Sequence, residues 1–282
     1  MKSGFAILIG RSNVGKSTLL NTLVGTKIAA TSFRAQMTRD IIHGALNTPE
    51  GQAVFIDTPG IFKHKKSRLT GKLIEKAKDA LDGVDIIIYV VDPTREIGDE
   101  EKYTYGLIRH LDVPKILVIN KSDLHKNERK HQESYENWTQ DFDAVFSLSA
   151  LKNSHVEPLR QKVVELLPEG KQMYEGQQIT NVNDYFWTAE IIREKVFSVF
   201  DKEIPYSITV EVDDIEDKPD VFVIGARILT DQERYKKIII GKGGQKIKEI
   251  GQMARRELEQ ALNKKVFLEL EVEVDTHWIE RM

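Results

Sequence analysis

The sequence contains no cysteine. That excludes disulfides, thiolate nucleophiles and cysteine-ligated metals, and it is compatible with a reducing compartment without proving one. No apolar run approaches the roughly 18 residues that suggest a membrane span; the run from 86 to 91, among the longest, has the length of a strand. Neither sign of charge dominates. Against 41 Lys and Arg stand 44 Asp and Glu, a formal net charge of -3, so no global field announces nucleic acid and any basic surface must be local. Met1-Lys2-Ser3-Gly4 leads straight into an apolar run, which leaves no room for a signal or transit peptide, and the expected address is the cytoplasm. What is present is 282 residues, 40% hydrophobic and 30% charged. That composition makes a globular protein with a real core, in one large domain or two ordinary ones.

The most informative stretch lies near the N-terminus. Gly10-Arg11-Ser12-Asn13-Val14-Gly15-Lys16-Ser17 satisfies the phosphate-loop pattern G-x-x-x-x-G-K-[ST] at every fixed position. Residues 5–9 before it read as a buried strand, and residues 18–24 after it as a helix closed by Gly25. Strand, glycine-rich turn and helix N-terminus together make an anion site, with curled backbone N–H groups and a helix dipole. Asn13, Val14, Gly15, Lys16, Ser17 and Thr18 are the expected cradle, with Lys16 reaching the terminal phosphates and the Ser17 hydroxyl on Mg²⁺.

Downstream, short motifs follow predicted strands in a fixed order. Residues 31–40 read as a polar, mobile loop in which Thr38 can complete the Mg²⁺ shell when a γ-phosphate is present. Residues 41–46 and 52–56 flank a turn signal and read as a hairpin ending in Asp57-Thr58-Pro59-Gly60. Asp57 can hold Mg²⁺ through water, and the Gly60 N–H can approach a γ-phosphate closely. The basic residues 63–68 read as a solvated loop, and as the second switch if the first assignments hold. Asn120-Lys121-Ser122-Asp123 follows another apolar strand. A carboxylate at Asp123 can accept from both N1–H and the N2 amino group of guanine, a donor pair that adenine lacks, while the Lys121 stem covers the base. Ser149 and Ala150 follow the next strand, where their backbone can meet the guanine carbonyl. Strands and helices alternate up to Pro168, which predicts a doubly wound α/β domain of the P-loop NTPase kind over residues 1–170.

Residues 171–183 are polar, carry Gly176 and lack periodicity, so they read as a linker. Residues 184–282 then predict a smaller α+β domain: a helix over 187–200, strands over 207–212 and 221–229, and a strand over 266–274 with Val266, Leu268, Leu270, Val272 and Val274 on one face. Between the last two strands lies Gly241-Lys242-Gly243-Gly244, joining two predicted helices and followed by Lys246 and Lys248. A G-x-x-G turn of this kind is the backbone clamp of KH domains: glycines let the chain approach a phosphodiester and lysines supply charge. The order helix–strand–strand–helix–helix–strand is that of the type II KH arrangement.

Taken together, the chain resembles the Era family of bacterial GTPases across both domains. Ser3-Gly4-Phe5, Gln36-Met37-Thr38-Arg39, Asp57-Thr58-Pro59-Gly60 and Asn120-Lys121-Ser122-Asp123 carry the likeness in the first domain. Glu190-Ile191-Ile192-Arg193-Glu194-Lys195, Pro205-Tyr206-Ser207 and the glycine loop carry it in the second. The resemblance implies GTP and GDP as ligands with Mg²⁺, binding to the 3′ end of the small-subunit ribosomal RNA, and a role in assembly of the small ribosomal subunit. It also brings peripheral association with the inner face of the cell membrane, for which the sequence offers no argument of its own. A monomer is expected. Ser12 stands where the family usually has proline, and Met37 where threonine usually precedes Thr38.

Two features bear on catalysis. Ile61 and Phe62 follow Gly60 where a water-orienting glutamine would be useful, which predicts slow intrinsic turnover raised by a partner. Asn13 has two readings of equal standing: a turn-former, or a ligand for K⁺ as in potassium-stimulated GTPases. Other classes remain open from the residues: an ATP-using P-loop enzyme, or a GTP-switched regulator whose KH-like domain contacts a protein or membrane partner. A tRNA-modifying GTPase is disfavoured, since no N-terminal extension and no terminal cysteine are present.

Overall fold

The computed structural model describes residues 1–32, 34, 36–61, 68–176 and 178–281. Phe62 and the basic residues 63–67 lie outside that set, so the predicted second switch lies largely outside the described residues. The chain forms two compact units, Met1–Asn181 and Val182–Met282.

The first unit runs β1 (Lys2–Ile9), α1 (Lys16–Val24), β2 (Ile42–Asn47), β3 (Gly51–Asp57), α2 (Arg68–Asp79), β4 (Ile86–Val91), α3 (Asp99–Ile108), β5 (Lys115–Ile119), α4 (Gln132–Glu136), β6 (Ala144–Ser147) and α5 (Glu157–Leu166). Its sheet has the order β2-β3-β1-β4-β5-β6. All neighbours are parallel except the β2–β3 hairpin. Central strands covered on both faces need apolar residues without alternation, and β4, Ile-Ile-Ile-Tyr-Val-Val, is buried at every position. Because β1 lies between β3 and β4, the chain departs in opposite directions on either side of it. The loops after β1, β3, β4, β5 and β6 therefore gather at one edge, where a doubly wound sheet binds ligands.

The stretch expected to be a linker does not run free. Ala45 N donates to Ile179 O at 2.7 Å, Gly44 bridges Thr180, and His43 N donates to Asn181 Oδ1 at 2.8 Å. The Gln52 side chain accepts from the amides of Met173 and Tyr174 and donates to the Tyr174 carbonyl. Residues 179–181 thus cover the β2 edge, whose backbone groups would otherwise be unpaired. Asn183 already caps the next helix, accepting from Phe186 N at 2.8 Å. The polar composition of this strap concealed a backbone-pairing role that needs no apolar side chains.

The second unit runs α6 (Asp184–Val199), β7 (Ile208–Asp217), β8 (Val221–Thr230), α7 (Glu233–Ile240), α8 (Gln245–Leu262) and β9 (Lys265–Val274). Its sheet order is β7-β8-β9, with β7 antiparallel and β9 parallel to β8. Helix α8 buries Ile250, Ala254 and Leu258, one stripe at a spacing of four, which is the face turned to the core. Strand β7 continues five residues past the predicted end at Val212, through a bulge between Val212 and Asp214. The polar run there misled the pattern reading; cations from elsewhere answer part of it, Arg227 of β8 pairing with Asp213 at 2.6 Å and Lys264 with Asp217. Val274, expected on the apolar face, is 38% exposed at the end of β9. No helix among the described residues is long and apolar enough to cross a membrane.

Candidate nucleotide site and nucleic-acid groove

The loop between β1 and α1 is shaped by close approaches. Gly15 has φ 100°, and a Cβ there would lie 2.3 Å from Asn120 Nδ2, so this position requires glycine on two counts. Lys16 is buried, its ammonium donating to the carbonyls of Gly10 (3.1 Å) and Arg11 (3.0 Å). Burial lowers its pKa to about 8, a fall only partly opposed by Asp57 and Glu101. Asn13 is exposed with φ 63°, a left-handed conformation that asparagine tolerates and that suits the turn-forming reading. Ser12, in the usual proline position, is held by Arg95, whose Nη1 donates to the Ser12 carbonyl at 2.9 Å. Gly60 packs against the same residue: a Cβ at 60 would fall 2.6 Å from Ser12 Cα.

Three residues assigned to Mg²⁺ from sequence meet beside Lys16. Ser17 Oγ donates to Asp57 Oδ2 at 2.5 Å, lies 2.7 Å from Thr38 Oγ1, and Thr38 Oγ1 donates to the same carboxylate oxygen at 3.3 Å. Asp57 is fully buried, and among the described residues its other oxygen, Oδ1, has no hydrogen-bond partner. Burial pushes its pKa up to about 6 against the pull of Lys16 and the Ser17 and Thr38 hydroxyls. An orphaned buried carboxylate oxygen beside two hydroxyls is a donor set that fits a hard divalent cation. Met37 is buried, so its replacement of threonine leaves the neighbouring Thr38 hydroxyl facing Ser17.

At the other end of the site, Asn120 ties three loops together. Its Nδ2 donates to Val14 O at 2.8 Å and its Oδ1 accepts from Ala150 N at 3.0 Å, all buried. The Ala150 amide, expected at the guanine carbonyl, is thus bonded to Asn120. Asp123 is exposed, with Oδ1 accepting from Ser149 Oγ at 2.5 Å, and Ser149 Oγ also accepts from Lys152 N. Asp123 lines an open pocket with Ser122, Ser147, Lys152 and Ser154. Lys121, at φ 64°, donates from Nζ to Asp92 Oδ2 at 2.5 Å, which fixes the direction of its stem. Burial opposes ionisation of Asp92, but Lys121 and the Thr94 amide and hydroxyl outweigh it and hold the carboxyl below its ordinary range.

Sequence reasoning missed three contributors. Asp92, directly after β4, carries the signal of a carboxylate at a parallel-strand C-terminus. Arg11 is buried in a polar network: Nη2 meets Glu101 Oε2 at 2.5 Å and donates to Tyr135 Oη at 2.9 Å, while Tyr89 Oη donates to Glu101 Oε1. No local pattern reveals this network, because α3 and α4 supply the partners from far along the chain. The third is Arg34, which lines the phosphate cavity with Asn13, Lys16, Ser17 and Gly60.

In the second unit, α7 ends at Gly241 (φ 73°), and Gly243 and Gly244 are also left-handed (φ 59° and 78°), which turns the chain into α8 within three residues. Added Cβ atoms at 243 and 244 would meet nothing, so this backbone stands open. Lys242, Lys246 and Lys248 are exposed beside it, with Lys246 paired to Glu249 at 2.7 Å. Ile247, Lys248, Gly251, Arg255, Phe267 and Leu270 line a groove between α8 and the β9 edge. Phe267, 59% exposed, offers a ring face there.

A family model described as 50S ribosome-binding GTPase matches residues 5–121, and a KH domain model matches residues 203–279. The GTPase Era of Thermoanaerobacter sp. (strain X514) is 43% identical over 285 residues, covering 98% of this chain and 92% of its own. That of Halothermothrix orenii is 39% identical over 283 residues, with 99% and 95% covered. Among solved structures, Era in complex with MgGDPNP and nucleotides 1506–1542 of 16S ribosomal RNA superposes with a TM-score of 0.92 at 38% identity, over 100% of this chain and 96% of that one. A tyrosine-to-alanine variant of Aquifex aeolicus Era bound to GDP·AlF4⁻ gives 0.91 at 38%, with the same coverage. With both units and every nucleotide motif in place, the chain belongs to the Era family of GTPases.

Proposed function

We propose that this protein is a GTP-hydrolysing switch that binds the 3′ end of the small-subunit ribosomal RNA through its second unit and assists assembly of the small ribosomal subunit. The observation that carries this reading is the joint presence, on one chain, of a guanine-type site and an open G-K-G-G turn beside a basic, partly aromatic groove. The full-length likeness to an Era structure holding 16S RNA and a GTP analogue supports it. The description of the matching GTPase model names the large subunit; the small-subunit reading rests on the RNA in that neighbour.

In this reading the phosphate loop, Lys16 and the α1 N-terminus bind the β- and γ-phosphates, and Asp123, Lys121 and Ser149 bind guanine. Ser17 and Thr38 would hold Mg²⁺ directly and Asp57 through water, and the ion when bound would supply positive charge beside the phosphates. Hydrolysis needs little covalent help from the protein, so its work is positioning and charge. Slow intrinsic turnover follows, raised by the ribosomal partner. The protein acts in the cytoplasm as a monomer, and peripheral membrane contact would appear as co-sedimentation with anionic vesicles.

The test is RNA binding with GDPNP, with GDP and without nucleotide, using a small-subunit 3′-end RNA and a scrambled control at fixed salt. Preferential binding that tightens with GDPNP is expected. Equal, steeply salt-dependent binding to both RNAs would overturn the RNA reading and favour a protein partner for the second unit.

A further inference from the structure

At the guanine end of the site, a buried carboxylate aims at a lysine held in an uncommon conformation. Lys121 has a left-handed backbone (φ 64°), which a long side chain rarely adopts, so contacts beyond local preference must hold it there. Asp92 follows directly on β4, a strand buried at every position, and is itself only 2% exposed. A carboxylate in so dry a place needs both hydrogen bonds and an opposite charge. It has both. Its Oδ1 accepts from the Thr94 amide at 3.0 Å and from the Thr94 hydroxyl at 2.8 Å, while the Arg95 amide donates to the Asp92 carbonyl at 3.1 Å. That tight turn fixes the plane of the carboxylate and leaves Oδ2 on Lys121 Nζ at 2.5 Å. The Asn120 amide donates to Val91 O at 3.0 Å, so the loop after β5 leaves the sheet directly against this carboxylate. The Lys121 stem is thus fixed at its root by the loop and at its tip by the ion pair. A lysine stem left loose would lose rotamer freedom when a ligand covered it. Here that ordering accompanies folding, before any nucleotide arrives.

We propose that Asp92 is a positioning residue of nucleotide binding, which preorganises the Lys121 stem over the face of the guanine base. The assignment rests on the guanine reading of residues 120–123. Asp92 touches neither base nor phosphate in this role and exchanges no proton; it acts through Lys121.

The full-length protein and its D92N, K121M and D92N/K121M variants would be titrated with GDP and with IDP at fixed Mg²⁺ and salt, and their kcat measured. D92N keeps an oxygen acceptor for Thr94 and removes the charge that holds Lys121. It should raise the Kd for GDP about tenfold with kcat within about twofold of wild type, because a group covering the base binds ground and transition states alike. The ratio of GDP to IDP affinity reports the reading of the guanine N2 amino group by Asp123, and it should stay within about twofold. Beside K121M, D92N should change the Kd for GDP less than about twofold, since the residue it acts through is already altered. Unchanged GDP affinity in D92N overturns the proposal. So does a tenfold loss that persists beside K121M, or a collapsed GDP to IDP ratio, either of which would make Asp92 a support of the loop at large. Should urea unfolding show that D92N does not fold, T94V removes one of the two donors to Oδ1. A loss of about threefold that vanishes beside K121M is expected of it, and a loss that survives there overturns the proposal. Wild-type protein that binds ADP as tightly as GDP would overturn the guanine reading itself, an outcome visible before any variant is made.

Discussion

Lys16 offers the sharpest test of how the phosphate site is built. Its ammonium is buried, and burial brings its pKa down from 10.5 to about 8 in the nucleotide-free protein. Phosphate binding adds negative charge beside it, so the bound state holds its proton more tightly than the free state. Nucleotide affinity must then fall as pH rises through the free-state value. With a free pKa near 8, the apparent Kd rises by the factor 1 + 10^(pH − 8), about threefold between about pH 7.5 and about pH 8.5. That window lies above the ionisation of terminal phosphates and below that of guanine N1–H, so Lys16 dominates it. An unshifted lysine would give a flat line. The same shift acts on folding. Between about 8 and 10.5 the unfolded chain binds more protons at this position than the native one, so stability of the free protein rises with pH there. Below about pH 8, holding Lys16 charged in its buried place costs about 3 kcal/mol, which nucleotide binding offsets. The assay is a titration of fluorescent GDP at constant ionic strength, with K16A as the control whose affinity is weak and flat. A wild-type Kd that stays constant across the window would refute the buried-ammonium account.

Four further outcomes are expected. Asp123→Asn removes the acceptor for N1–H and N2 of guanine and should weaken GTP by about 100-fold while favouring xanthosine nucleotides; equal loss of both would mean the residue only supports Ser149. Asn120→Ala strands the buried Ala150 amide and should cost about 2 kcal/mol in urea unfolding of the free protein; wild-type GDP affinity in that variant would show that the tie does not align the two ends of the site. Gly60→Ala places a methyl 2.6 Å from Ser12 Cα, so GDPNP binding should fall more than GDP binding, and equal effects would count against a γ-phosphate role for this loop. Lys242→Glu with Lys248→Glu should lower RNA affinity and reduce the salt slope by about 1 for each phosphate left without its lysine; an unchanged slope would remove these lysines from the interface.

What the sequence made legible follows from where each function stores its information. The proposed nucleotide ligands Gly15, Lys16, Ser17, Asp57 and Asp123 lie on short segments with fixed strand context, so spacing alone singles them out. The KH-type unit was legible for the same reason: its turn needs three left-handed residues in four, and glycine supplies them in plain view. The strap along β2 was not legible, because pairing a sheet edge uses backbone groups that every residue carries. Strand β7 was read short, because Arg227 and Lys264 answer its acidic run from farther along the chain. Asp92 carried a signal that went unread, a carboxylate directly after a parallel strand, whereas the Arg11–Glu101–Tyr135 network was invisible because its partners are separated by long stretches of chain.

Those long-range partners also explain how a short loop holds an unfavourable arrangement. Asp57 and Lys16 are each buried in a charge state that burial opposes, one raised to about 6 and the other lowered to about 8. Their mutual attraction recovers only part of that cost. A loop held by local bonds alone would relax by opening to water. Here it cannot, since Asn120 holds Val14, Arg95 holds Ser12, and Glu101 with Tyr135 holds Arg11, from four different loops and helices. The phosphate site is therefore preorganised by the whole edge of the sheet. Metal and nucleotide then relieve a cost already present in the free protein, which is how a binding event at this edge acquires free energy to spend on a switch.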